Sequence, residues 1–226
     1  MGRLEVVISV TMRRSARKPK GDGHLRRAEI LEAAERIFVA DGYEGATIRK
    51  IADEVGVSST ALYMHFPDKG CILLEICERT IRQLLERNSE IAAKPEDAAR
   101  RVELMLDSYM HWGLEHPNAY MLVFCSVTPV SDVLGDSLAE ISARCFDIFS
   151  AGVRQLAQEN RLRSGDADSV AQTLWAATHG LVALLITRPD FEWAPQETLI
   201  RVTLDGLMRG LILPPLDISR YMEFQG

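Results

Sequence analysis

Gly56 restricts this chain more than any other residue. It lies within "TIRKIADEVGVSSTALYMHFPDKG", Thr47 to Gly70, between two helical patterns. Ahead of it, Ile48, Ile51, Ala52 and Val55 repeat at offsets 0, 3, 4 and 7, the stripe of a helix with one buried side. Thr47 is placed to cap that helix, because its hydroxyl can accept from an orphan N–H of the first turn. Gly56 breaks the helix and predicts a positive φ, which side-chain-bearing residues resist. Val57 then turns inward, Ser58 caps a second helix, Leu62 and Phe66 face the core four residues apart, and Pro67 stops the element. A helix this short is unfavourable to nucleate alone, so it must lean on its neighbours. The support comes from Leu25 to Ala40, where Ile30, Ala34, Ile37 and Phe38 share a face before Gly42 ends the helix.

Two short helices joined through a glycine, with a third behind them, make a helix–turn–helix. At 100° per residue Leu62 points inward while Thr60, Tyr63 and Met64 point outward. A helix supported on one side and bare on the other suits a DNA major groove. Ser58, Ser59 and Thr60 put hydroxyls at its start, where phosphates can be bound. Tyr63 and His65 can reach DNA from its far end, and Lys69 opens the next helix at another phosphate-reaching position.

The net charge of −6 argues against nucleic acid until it is divided along the chain. Residues 1–70 hold 12 Lys/Arg against 10 Asp/Glu, and the remainder holds 14 against 22. The excess of positive charge is concentrated in "MRRSARKPKG", Met12 to Gly21, where Arg13, Arg14, Arg17 and Lys18 stand with no acid between them. Such a segment reads as a solvated arm that can still touch phosphates or a minor groove. The preceding "MGRLEVVISVT" does not match it, so Met12 is expected to be the native initiator or residues 1–11 to be dispensable. The division predicts a flexible basic arm over 1–23, a DNA-binding domain over 24–70 and a larger domain over 71–226.

These residues resemble the DNA-binding domain of the TetR family of bacterial transcriptional regulators. The resemblance rests on Thr47, Ile51-Ala52, Gly56-Val57-Ser58, Leu62-Tyr63, His65-Phe66 and Lys69, preceded by "AERIFVADGYEGA", and covers roughly residues 25–75. It implies an all-α homodimer with a three-helix DNA-reading end and a larger ligand-binding and dimerisation end. It further implies phosphate contacts from Thr47, Tyr63, His65 and Lys69, and base-edge contacts from Arg49, Ser59, Ala61 and Tyr63. Ser59 and Ala61 are small, which places most direct readout on Arg49 and Tyr63; Arg49 could pair bidentately with guanine.

The rest of the chain reads as helical and is less specific. Helices are expected from Asp68, up to about Glu115, after "HPNAY", from beyond "TPVSD" (Thr128 to Asp132) to about Asn160, through "SVAQTLWAATHGLVALLITRP", and through "PQETLIRVTLDGLMRGLIL". The segment Leu174 to Ile186 is apolar nearly all round, which predicts burial on more than one side. Ala177, Gly180, Leu181, Leu185, Val202, Gly206 and Gly210 on the last two helices suit a four-helix bundle with a second copy, though intrachain packing would use the same glycines. "WAATHG" resembles a Trp-x-x-x-His-Gly signature of one TetR subgroup. Tyr109, Trp112, Phe124, Phe146, Phe149, Trp175 and His179 are candidates for a largely apolar pocket, each competing with plain core packing.

Other chemistries find no support in the residues. There is no Gly-rich phosphate loop, defensible nucleophile set or paired-carboxylate site, and no cofactor is called for. His111 and His116 are five apart, off a common face, so no metal pair is expected. Cys71, Cys77, Cys125 and Cys145 lack Cys-x-x-Cys spacing and read as reduced, core-type residues of a cytoplasmic protein. No run of about 18 apolar residues predicts a membrane span. The expected function is a ligand-responsive DNA-binding regulator, a repressor released from a palindromic double-stranded operator by a small, mostly apolar inducer. A helical small-molecule carrier or enzyme with a vestigial DNA-binding end is the alternative.

Overall fold

The computed structural model describes residues 23–125 and 130–215. The arm residues Arg13, Arg14, Arg17 and Lys18, and the tail from residue 216, lie outside them. Nine α-helices are found among the described residues: α1 Gly23–Gly45, α2 Ile48–Glu54, α3 Ser59–Tyr63, α4 Lys69–Ala92, α5 Ala98–Glu115, α6 Pro117–Tyr120, α7 Val130–Gln158, α8 Ala167–Thr187 and α9 Gln196–Leu211. A single π-helical turn, Met121–Cys125, follows α6.

Helices α1 to α3 form the small end, and each boundary has a local cause. Gly42 breaks the helical path of α1 at φ +71°. Thr47 caps α2 by accepting from the Lys50 N–H at 3.2 Å, and Ser58 caps α3 by accepting from the Ala61 N–H at 3.1 Å. Gly56 has φ +68°, the left-handed conformation its position requires. Asp68 then caps α4 through the Cys71 N–H at 2.8 Å. Ile30, Ala34, Phe38, Ile51, Ala52, Leu62 and Phe66 are all buried in one core that runs on into α4.

The large end is built on α4, α5, α7 and α8. Helix α4 lies along α7, and α5 fits between α7 and α8. Gly113 marks the closest approach: a Cβ there would meet both Tyr120 and Val182 at 2.8 Å, so only glycine lets α5 sit this near α6 and α8. Arg161 fastens the far end. Its guanidinium donates to Asp97 at 2.6 and 3.0 Å, to Glu159 at 3.0 Å and to the Leu213 carbonyl at 3.2 Å. One buried side chain thereby ties together the chain before α5, the chain after α7 and the end of α9.

Two expectations need correction. "TPVSD" is not a loop throughout, since α7 already begins at Val130. Helix α8 is not buried on several sides within one chain. Val170, Ala171, Leu174, Thr178 and Val182 form its buried stripe, while Leu184 is 49% exposed and Trp175 39% exposed. Its apolar circumference meets the core on one side and is left open on the other. By length and composition α8 is also the one described helix that could cross a membrane; here it packs against α5 and α7.

Candidate functional site

The outward face of the small end carries the residues expected to read DNA. Thr47, Arg49, Ser58, Thr60, Ala61 and Tyr63 are exposed, whereas Ser59, His65 and Lys69 are half-buried. The Arg49 side chain is 87% exposed and, among the described residues, forms an ion pair with Asp53 at 3.8 Å. Such a pair contributes little and leaves the guanidinium available for a base. Lys69 is differently placed. Its ammonium donates to the carbonyls of Tyr43 at 2.8 Å and Ala46 at 3.4 Å and stands 4.2 Å from the centre of the Tyr43 ring. It holds the turn between α1 and α2 against the start of α4, whatever else it touches.

Arg27 was not anticipated from sequence. From α1 it donates to Glu75 on α4 through both Nε (2.9 Å) and a terminal nitrogen, donates to the His65 carbonyl at 2.7 Å, and lies 4.1 Å from the centre of the Phe66 ring. It therefore bolts the end of the recognition helix α3 to α1 and α4 at once. No local periodicity announces this role, because its partners are 38 to 48 residues away.

The large end holds a partly open cavity of about 150 Å³. Ile81, Leu84 and Asn88 of α4 form one wall, and Met105, Leu106 and Tyr109 of α5 a second. Ser142, Cys145, Phe146 and Phe149 of α7 form the third, and Phe124 and Trp175 also line it. Five of the seven expected ligand residues thus come together here. Trp112 and His179 do not. Trp112 is fully buried beneath Tyr120 and donates from Nε1 to Gln83 at 3.3 Å, which makes it a core residue. The His179 ring lies beside the cavity, 5.6 Å from Phe124 and 6.0 Å from Trp175 by ring centres.

His179 belongs to a hydrogen-bonded triad. Its Nδ1 is 2.6 Å from the Tyr120 hydroxyl and 2.9 Å from that of Tyr109, and the two hydroxyls are 3.1 Å apart. A neutral imidazole with its proton on Nε2 accepts from Tyr120, which in turn accepts from Tyr109. Burial holds the ring below the ordinary histidine pKa, in keeping with that neutral form.

Asn88 is the cavity residue that sequence reading missed. It is 8% exposed, and among the described residues its carboxamide has one partner, the Cys145 sulfur at 3.7 Å. A clue existed: Ile81, Leu84, Asn88 and Ile91 share one helical stripe, and an amide in that row is out of place. Burial pushes the Cys145 thiol up to about 11, so it stays protonated. The other histidines act elsewhere: His111 stands 3.3 Å from Glu197, and His116 packs on Trp112.

The expected dimer residues lie on the open side of α8 and α9. Val202 is 57% exposed, Gly206 and Gly210 are exposed, and Ala177, Leu181 and Leu185 are half-buried. Among the described residues a Cβ added at Gly180, Gly206 or Gly210 would meet nothing within 4 Å, so these glycines serve no close contact with that part of the chain.

Comparison with known proteins agrees with this architecture. Residues 30–76 match the family described as "Bacterial regulatory proteins, tetR family", and residues 102–207 match "Tetracyclin repressor-like, C-terminal domain". The nucleoid occlusion factor SlmA of Shewanella loihica is 31% identical over 186 residues, spanning 76% of this chain and 88% of that protein. Among solved structures, the TetR family transcriptional regulator PfmR from Thermus thermophilus superposes with a TM-score of 0.69 at 20% identity, covering 80% of this chain and 97% of that one. A ketosteroid transcriptional regulator of Mycobacterium tuberculosis gives 0.67 at 20% identity, over 84% and 96%. A helix–turn–helix with its outward face bare, set on a helical domain that holds an apolar cavity, and matched to the family at both ends, makes this chain a member of the TetR family of transcriptional regulators.

Proposed function

We propose that the protein is a cytoplasmic, homodimeric repressor that leaves a palindromic operator when a small, mostly apolar molecule enters the cavity. One observation carries the reading: α4 is shared by both sites. Its first residues follow α3 after Pro67 and the capping Asp68, and its middle supplies Ile81, Leu84 and Asn88 to the cavity wall. A ligand that fits a tilted α4 better than a straight one lowers operator affinity by that difference. Arg49 and Tyr63 read bases, and Thr47, Ser58, Thr60 and Lys69 hold phosphates. The open apolar sides of α8 and α9 meet their counterparts in a second copy and set the two α3 helices about 34–36 Å apart, one turn of DNA.

Selection from random duplex DNA, followed by gel shifts at several salt concentrations, tests this. A palindromic motif is expected, with affinity falling steeply as salt rises. Val202→Asp should give monomers that lose the motif. Apolar compounds that bind while no duplex does at any salt would favour the carrier alternative instead.

A further inference from the structure

Resting on the ligand-responsive reading just given, we infer that the cavity takes a small uncharged aromatic molecule with one hydroxyl-type group, held by Asn88. Size sets the first limit. A cavity of about 150 Å³ equals one known to admit benzene, so a single ring with one or two substituents fits. A long acyl chain or a fused polycycle exceeds that volume and would have to extend through the open side of the cavity. The wall sets the second limit. Phe146 lies 6.1 Å from Phe149 and 5.6 Å from Trp175 by ring centres, and Tyr109 lies 6.1 Å from Phe124. All three pairs are steeply tilted, so ring edges and faces both present themselves to a further ring.

Charge sets the third limit. Among the described residues the lining contains no Lys, Arg, His, Asp or Glu. Its titratable members among the described residues are Tyr109 and the Cys145 thiol, whose pKa burial raises to about 11. The nearest histidine, His179, is held neutral beside it. An ion entering this space would lose its hydration with no opposite charge among the described lining residues to meet it. The negative charge of the surrounding domain therefore has no counterpart among the described lining residues.

The polar anchor follows from Asn88. A carboxamide offers two N–H donors and a carbonyl acceptor. Here it is buried, lines the cavity, and has only a weak sulfur acceptor among the described residues. Tyr109 also lines the cavity, but its hydroxyl is engaged by Tyr120 and His179. A group that both donates and accepts, such as a phenolic hydroxyl, satisfies Asn88 where a bare hydrocarbon leaves it unmet.

The test is calorimetry on the full chain with four probes of similar size: 4-methylphenol, toluene, benzoate and benzyltrimethylammonium. The expected order is 4-methylphenol first, toluene weaker, and the two ions weakest. Asn88→Leu should lower 4-methylphenol affinity about tenfold, the worth of one good hydrogen bond, and leave toluene unchanged or tighter. Tighter binding of either ion overturns the inference, as does an unchanged preference in Asn88→Leu or no binding by any probe at millimolar concentration. Should Asn88→Leu not fold, the ratio of 4-methylphenol to toluene affinity in the unaltered chain decides, and a ratio near one overturns it. Parallel gel shifts on the selected duplex separate this from the reading beneath it. Binding of 4-methylphenol without DNA release supports the ligand class and defeats ligand-responsive repression. Release by the quaternary ammonium does the reverse.

Discussion

The two ends of the molecule solve opposite problems. At the small end, the short helices α2 and α3 are each started by their own capping residue, Thr47 or Ser58, and the functional side chains face out. At the large end, long helices are held by one another, and the distinctive polar groups, Asn88 and the Tyr109–Tyr120–His179 triad, face in. The first arrangement presents a nearly fixed surface to a rigid partner. The second leaves a space whose walls are placed by packing between distant helices as well as by their own caps at Asp68, Asp97 and Asp166. Regulation needs both, with a mechanical connection between them.

The sharpest way to break that comparison lies in the large end. Trp112 and Trp175 are both aromatic residues of that domain, but one is fully buried and the other is 39% exposed on the cavity wall. Trp112→Ala should destabilise the protein by about 3–5 kcal/mol, while Trp175→Leu should shift melting far less and instead change ligand affinity. Thermal melting of the two variants, with calorimetry on the second, checks this. Equal losses of stability would show that the cavity wall is as tightly packed as the core.

Next in size is the clamp at Arg161. Its side chain is 7% exposed, while its partners Asp97 and Glu159 are 42% and 37% exposed. Arg161→Met should therefore cost about 2–3 kcal/mol, short of the value for a wholly buried pair. Hydrogen bonding from Arg161 holds the Asp97 carboxyl below the ordinary carboxylate range. A depressed folded pKa stabilises the fold fully above the unfolded value, about 3.9, and that stabilisation is lost as pH falls through the folded value. Melting followed from pH 6 down to pH 2 should thus decline less steeply in Arg161→Met than in the unaltered chain.

The small end yields an effect on DNA alone. Arg49→Ala should weaken operator binding by about 1–3 kcal/mol and relax preference at one base pair, with melting unchanged because the side chain is 87% exposed. Lys69→Ala should weaken all sequences alike and also lower the melting temperature, since its ammonium holds two backbone carbonyls of the α1–α2 turn. A selected motif that is unchanged in Arg49→Ala would move base readout elsewhere on α3.

The same contrast decides what could be read from sequence. Caps, the positive-φ glycine and the buried stripe act within seven residues, so the small end was legible down to individual hydrogen bonds at Thr47, Ser58 and Asp68. The cavity is assembled from five elements, and composition identified its rings without saying which would be neighbours. Trp112 and Trp175 look alike in the sequence, and only the packing of α5 beneath Tyr120 makes one of them core. Arg27 acts across 48 residues of chain, beyond the reach of any local pattern, and although Asn88 is out of place in its helical stripe, its contact with Cys145 lies 57 residues away. The open side of α8 was read as burial, which a lone chain does not provide.

The smallest effect concerns the connection itself. Glu35 of α1 has a side chain 17% exposed, 3.7 Å from Arg79 of α4. Burial raises its pKa, while Arg79, His116 and the Ala119 backbone N–H all favour its charged form. His116 and Ala119 bracket the start of α6, a helix with no side-chain cap of its own. At the other end of α6, Tyr120 is bonded to His179, and the following turn brings Phe124 into the cavity wall. A carboxylate of the DNA-binding end thus rests on the helix that borders the cavity. Glu35→Gln keeps the shape and removes the charge, so stability and operator affinity should barely change. What should change is the response of one end to the other. Leu106→Phe, which fills the cavity from α5, serves as a fixed occupant, and operator affinity is measured for each variant and for the double variant. A non-additivity on the order of 0.5 kcal/mol, a two- to threefold difference in affinity, is expected if the signal passes through α6. Strict additivity would leave α4 as the carrier, with Arg27 and Glu75 its contact to the recognition helix.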